Sequence, residues 1–273
     1  MRFYLVLCLA VAALAENTSY KGYHDSVGIP LASRIKKAEL AAIESGSRII
    51  GGQPAPLGAH PYLVGLVIHV TGGRISACGS SMLSNTRALT AGHCWFDDWS
   101  TADAFTLVFG SEFLFFGGLR VYTSDVIAHP GWNGALINLE YDLAIINFNY
   151  VAYTNIIQPI SLPSGVLEAN DFTGVWAQLF INLVQSHVNL QVISNDVCRT
   201  FFPSTVTPRI ICTNGVGPVG ICSSDSGGPL SIINNNRRVL IGVASFGSAS
   251  CETDAPSGFV RVTEHLPWIR QRL

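Results

Sequence analysis

The sequence predicts an all-β protein of sandwich or barrel type, closed by a short C-terminal helix. Three observations carry this expectation. Charged residues make up only 12% of the 273, and 26 glycines suit many short strands and tight turns. From residue 49 onward, short apolar runs alternate with Gly, Pro, Asn and Asp, the punctuation of sheet proteins. No helical stretch of convincing length appears in that part before Thr263–Leu273, where Thr263 is the expected cap and Pro267 falls in the first turn. The length suffices for one large or two modest domains with a real core.

Taken in order, Arg2 precedes the apolar run Phe3 to Leu14, and Ala13-Leu14-Ala15 offers small residues before Glu16, so residues 1–15 read as a signal peptide. That run is too short to span a bilayer comfortably. No other stretch suits a membrane helix, which predicts a soluble, secreted, extracellular protein. A formal charge of −2 advertises neither nucleic-acid nor anionic-membrane binding. Of seven cysteines, Cys8 leaves with the signal peptide, and Cys78, Cys94, Cys198, Cys212, Cys222 and Cys251 remain. An even number fits an oxidising compartment. Six cysteines allow fifteen connectivities, and spacing does not choose among them. Without C-x-x-C spacing a zinc site is disfavoured, and no metal or cofactor is expected.

Residues 16–48 stand apart, holding all three lysines (Lys21, Lys36, Lys37). Within them Leu31 to Ile43 reads as an amphipathic helix with Ile35, Leu40 and Ile43 on one face. Strands are expected at Tyr62–Val70, Arg87–Thr90, Phe105–Phe109, Arg120–His129 and Asp142–Phe148. A second set follows at Asn189–Ile193, Arg209–Cys212, Pro229–Ile233 and Arg238–Phe246. A linker near Gln158–Pro163 divides two barrels.

The chemistry gathers at Cys222-Ser223-Ser224-Asp225-Ser226-Gly227-Gly228-Pro229. A serine hydroxyl needs a base within hydrogen-bond reach and backbone N–H groups aimed at the oxyanion that its attack creates. Upstream, Thr90-Ala91-Gly92-His93-Cys94 supplies an imidazole, and Tyr141-Asp142-Leu143-Ala144-Ile145 sets a carboxylate in an apolar strand. The order His93, Asp142, Ser226 is that of the chymotrypsin arrangement, whereas Gly-x-Ser-x-Gly hydrolases run Ser, Asp, His.

At these residues the chain resembles the chymotrypsin-fold (trypsin-like) serine proteases, from Ile49 to the C-terminus. The resemblance implies two six-stranded Greek-key β-barrels with a C-terminal helix: a domain over 49–273, with barrels at about 49–160 and 161–262 and the helix at 263–273. It implies disulfides Cys78–Cys94, Cys198–Cys212 and Cys222–Cys251. His93 would act as general base, Asp142 as its orienting acid and Ser226 as nucleophile, with the N–H groups of Ser224 and Ser226 as the oxyanion hole. Ser47-Arg48-Ile49-Ile50-Gly51-Gly52 resembles an activation site, so residues 16–48 would be a pro-segment. Cleavage after Arg48 by a trypsin-like protease would free the Ile49 ammonium to pair with Asp225. With no cysteine in it, the segment should then be released. Ser245-Phe246-Gly247 would bind substrate backbone as an added strand. Gly220, six before the nucleophile, would floor a pocket with no charge to attract Lys or Arg. Gly247 would leave its mouth open, and Ser257 or Gly258 would line the far wall. An open slot suits large apolar side chains on the acyl side of the bond, while a serine at 257 narrows it. Protein or peptide substrates and protein protease inhibitors are the implied partners of a monomer.

Three departures from the family pattern are visible. Ser224 stands where glycine is usual, and a Cβ there biases the oxyanion loop. Trp176-Ala177-Gln178-Leu179-Phe180-Ile181 lacks the usual glycines and is shortened beside the Asp225 pocket. Gly92 for the common alanine is a mild change. Two readings therefore stay open: an active secreted endopeptidase, or a catalytically weak homologue acting as a binding or inhibitor-decoy protein. Counted from Ile49, the chain has ten arginines, no lysine and fourteen acidic residues, a formal charge of −4. Arginine holds its charge well above the lysine pKa of about 10.4. Gly22-Tyr23-His24…Gly28-Ile29-Pro30 also resembles the pro-segment of insect larval gut chymotrypsins, which implies a digestive enzyme of an alkaline gut lumen.

Overall fold

A computed structural model of the chain describes residues 21–45, 56–181, 186–215, 225–247 and 255–273. The expected signal peptide, Arg48, Ile49, Gly220, Cys222, Ser224 and Cys251 lie outside the described residues.

Among the described residues, thirteen strands form two sheets. In chain order they are β1 (Leu63–Val70), β2 (Arg74–Ser84), β3 (Arg87–Thr90), β4 (Ala102–Phe109), β5 (Leu119–Thr123), β6 (Val126–Ala128) and β7 (Ala144–Asn147). Then come β8 (Trp176–Ile181), β9 (Ser186–Ile193), β10 (Ile210–Thr213), β11 (Pro229–Asn234), β12 (Arg237–Phe246) and β13 (Ser257–Arg261). The first seven make one sheet in the order β5-β4-β1-β2-β3-β7-β6, and the last six close a barrel, β10-β13-β12-β11-β8-β9. The first sheet has one strand segment more than the six expected, because the run read as Arg120–His129 is split into β5 and β6. β2, β8 and β13 went unforeseen. In β2 the apolar alternation is masked by Ser76, Gly79, Ser80 and Ser81, yet this strand pairs with β1 from Arg74 to Ser81. Its serines are tolerated inside because they find acceptors, as when Ser80 Oγ donates to Val64 O at 3.0 Å.

Helices are α1 (Ile29–Ser45), α2 (Asn195–Arg199) and α3 (Leu266–Arg270). Among the described residues no helix is long and apolar enough to cross a membrane. The C-terminal helix begins later than expected: Thr263 sits inside a 3-10 turn (Val262–His265) and does not cap α3, while Pro267 does occupy its first turn. Leu266 and Ile269 are buried in the same apolar cluster as Val64, Leu66, Leu107, Leu240 and Val260, so α3 seals both sheets onto a shared core. Fully burying side chains of this kind contributes about 1.5–3 kcal/mol each.

The expected face of α1 is corrected. Leu31, Ile35, Glu39 and Ala42 are buried, whereas Leu40 and Ile43 are exposed. Residues 31, 35, 39 and 42 follow the 3.6-residue period, and Leu40 lies off that stripe. The stripe is hidden in the sequence because Glu39, a polar residue, is buried within it and accepts the Leu114 and Phe115 N–H groups.

Candidate active site

The site lies where the two sheets meet. Strand β3 runs out at Thr90 through extended Ala91 into a 3-10 turn, Gly92–Cys94, and this turn presents His93. A disulfide joins Cys94 to Cys78 of β2 and anchors the turn, and a second joins Cys198 to Cys212. Gly92 is required here: a Cβ on it would stand 2.7 Å from Trp132 Cδ1 of a buried indole. The exchange of alanine for glycine, expected to be mild, is therefore tied to the size of Trp132. Gly92→Ala should push that ring aside and lower stability by about 1–3 kcal/mol, the usual range for overpacking. Thermal unfolding of the variant checks this, with Gly92→Ala/Trp132→Leu expected to recover much of the loss.

Asp142 follows a 3-10 segment (Leu136–Tyr141), just before β7, and is fully buried. Its Oδ1 accepts the backbone N–H of His93 at 2.7 Å, and its Oδ2 lies 2.7 Å from His93 Nδ1. Ser245, near the end of β12, donates its Oγ–H to the same Oδ2 at 2.6 Å. Three donors offset much of the cost of a buried carboxylate. They also fix the tautomer: a proton on Nδ1 leaves Nε2 with its lone pair, the state of a base.

Ser226 stands in the turn entering β11. Its carbonyl accepts the N–H of Gly79 on β2 at 2.8 Å, Gly227 N–H donates to Ala244 O at 2.8 Å, and Gly228 N–H donates to Asp225 O at 2.9 Å. Gly227 has φ +77°, and a Cβ there would run into Thr90 Oγ1 and Gly79 O, so this position accepts only glycine. Asp225 and Ser226 are both buried. The Nε2 atom of His93 is buried and makes no hydrogen bond among the described residues, so the base and the serine hydroxyl are not joined.

The structure thus links His93, Asp142 and Ser245 by hydrogen bonds and sets the Ser226 turn against Gly79 and Thr90 of the strands that lead to His93. Gly247 follows directly on β12, and Ser257 and Gly258 pair from β13 with Thr213 and Cys212 of β10. A Cβ on Gly258 would overlap the Phe246 ring, so that ring lies against the β13 backbone at Gly258 instead of leaving it open as a wall. Buried Ser257 occupies the neighbouring, oppositely directed position. The link from Ser245 to Asp142, and the clamp from Gly79 and Thr90, were missed in the sequence; only the polar Ser245 before an aromatic residue hinted at one of them. His69 bonds Thr106 Oγ1 at 2.9 Å on the far side of the sheet, and His129 packs on His265, with ring centroids 4.9 Å apart, so both are structural.

The trypsin family model matches residues 49–269. The chain is 37% identical over 235 residues to a collagenase of Hypoderma lineatum, covering 82% of this chain and 86% of the relative. It is 35% identical to serine protease 1 of Drosophila melanogaster, covering 82% and 84%, and 30% identical to the alkaline C trypsin of Manduca sexta, covering 85% and 94%. A solved structure of HL collagenase superposes with a TM-score of 0.72 at 35% identity, covering 82% of this chain and 98% of that one. The chain belongs to the trypsin family of serine proteases. Protein substrates and peptide-bond hydrolysis come with that family.

Proposed function

We propose that the chain is the zymogen of a chymotrypsin-like serine endopeptidase. The observation that carries the reading is the grip of Asp142 on His93, through both the backbone N–H and Nδ1, beside the Ser226 turn. His93 takes the Ser226 proton as Oγ attacks the scissile carbonyl, then returns it to the leaving amine. The N–H groups of Ser224 and Ser226 receive the oxyanion. Cleavage between Arg48 and Ile49 frees an ammonium that pairs with Asp225 and orders that loop. Secretion is typical of the family, and a digestive role in a gut lumen fits its composition. An uncharged glycine at position 220, where the family resemblance implies the pocket floor, supports a preference for large apolar residues on the acyl side.

The test is to cut the purified chain after Arg48 and separate the fragments. The larger should begin Ile-Ile-Gly-Gly, react at Ser226 with a fluorophosphonate and hydrolyse a Phe- or Tyr-directed peptide. A correctly cut, separated domain that does neither favours the binding-protein reading.

The pH profile provides a further prediction: activity should peak above about pH 9, where arginine keeps its charge. The acid side follows from two histidines. Burial, with Arg272 and Arg209 nearby, lowers the His129 pKa to about 4. Burial, with His129 nearby, lowers His265 to about 4. The folded state therefore prefers both neutral: this stability is complete above about 6.5 and is lost as pH falls through 6.5 toward 4. An optimum at or below neutrality, on an apolar-directed peptide, would overturn the alkaline reading.

A further inference from the structure

The segment preceding the protease domain is docked, with Tyr23 on the imidazole of His93. The Tyr23 ring lies against the His93 ring, centroids 4.4 Å apart at 54°. Its hydroxyl donates to Ala77 O at 2.7 Å and lies 3.5 Å from Cys78 Sγ. His93 is left only 3% exposed. The backbone N–H and C=O groups of successive strand residues face alternate edges. Gly79 N–H is turned toward Ser226, so the carbonyl of Ala77, two residues earlier, faces the same edge. β3 pairs with β2 only from Ser81 onward, so among the described residues no strand takes this edge beside the serine. An extended substrate crossing the site on the β2 side needs this edge and a free face of His93. Tyr23 occupies both.

The following residues lock the tyrosine in place. His24 N–H donates to Asp97 Oδ2 at 3.1 Å, the His24 Nδ1 atom lies 3.0 Å from Ser76 Oγ, and Asp25 pairs with Arg74. Gly28 sits so close that a Cβ would overlap Ser76 Oγ. Helix α1 then covers the outer face of the first sheet. Leu31, Ala32 and Ile35 pack on Val67, Ala77, Val108 and Leu114, with Ile75 and Phe115 at the margin. Val67 and Val108 alternate along their strands with inward Leu66, Ile68 and Leu107, so the strands present a true outward apolar face. Glu39, fully buried, accepts the N–H groups of Leu114 at 2.5 Å and Phe115 at 2.8 Å. Departure of α1 would bare an apolar patch and leave those two N–H groups unpaired.

We infer that residues 21–45 are an intrinsic inhibitor of this protease, which stays bound across the β2 side of the active site after the chain is cut at Arg48–Ile49. This rests on the zymogen reading above, and it replaces the expected simple release of a segment without cysteine. Cutting converts a tethered contact into a bimolecular one, so residence then depends on affinity and concentration. Full activity needs a second event: dilution, or further cleavage within 21–45.

The test uses the full-length chain, cut after Arg48 and followed by mass spectrometry, size-exclusion chromatography and peptide hydrolysis in parallel. The small fragment should co-elute with the domain, and activity per molecule should rise about 10-fold or more on extensive dilution. Tyr23→Ala should weaken retention about 10- to 100-fold, as loss of a buried aromatic ring does, and shorten the lag. Gly28→Val should act likewise, and neither variant changes the sequence of the freed domain, so its final kcat/KM must equal the parent's. Immediate full activity on cleavage, with the fragment eluting apart at every concentration, overturns the inference while leaving the protease reading intact. A cut and separated domain that is inert overturns the protease reading and the inference with it.

Discussion

Ser226→Ala is expected to lower turnover of a peptide substrate by about 10⁶-fold, measured on the cut and separated domain. The substitution removes only Oγ. The backbone bonds that shape the turn run through Gly79 N–H to Ser226 O and Gly227 N–H to Ala244 O, and alanine keeps both. Unfolding temperature should therefore stay near the parent value, and reaction with a fluorophosphonate should vanish. Residual hydrolysis of about 10³–10⁴ over water is expected, since substrate binding and oxyanion donors persist without the nucleophile. A variant hydrolysing at the parental rate would remove Ser226 from the mechanism. Separation of the fragments matters to this measurement, because in the whole chain Tyr23 lies on His93 and would depress parent and variant alike.

The candidate residues His93, Asp142 and Ser226 stand out in the sequence because each sits in a short stretch whose residue types suit one chemical task, and their order along the chain narrows the architecture. What stayed hidden depends on contacts between segments distant in sequence. Strand β2 escaped because buried serines look like loop residues until their acceptors, such as Val64 O, are known. The buried stripe of α1 was misassigned because Glu39 reads as solvent-facing until Leu114 and Phe115 bring their N–H groups to it. Gly92 carried no signal of its own, since only Trp132, far along the chain, gives it a reason. Gly258 was legible as a small residue, but not that Phe246 would fill the space above it. The Tyr23-His24 pair stood out only as a resemblance; its place over His93 follows from Ser76, Ala77 and Asp97, none of which announces a binding surface.

Asp142→Asn is the second large effect expected, and it separates orientation from mere burial. The carboxylate serves only as an acceptor, receiving His93 N–H, His93 Nδ1–H and Ser245 Oγ–H. An amide of nearly the same shape offers one oxygen and an NH₂ group. If the oxygen keeps the backbone N–H of His93, the NH₂ faces Nδ1 and Ser245 Oγ, and Nδ1 must become an acceptor. The ring proton then moves to Nε2, the atom that takes the proton from Ser226 in the proposed mechanism. Turnover should fall by about 10⁴-fold, a size established for the same change in another serine protease of this fold and not obtained from the distances here. KM should hardly move, because Asp142 is fully buried and touches no substrate. Ser245→Ala removes one donor of three and leaves the His93 tautomer unchanged, so its loss should be far smaller, about 10-fold. Steady-state kinetics on both variants, with thermal unfolding as a control for folding, decide the matter. An Asp142→Asn variant that folds and turns over within about 10-fold of the parent would show that His93 does not depend on this carboxylate for its working tautomer.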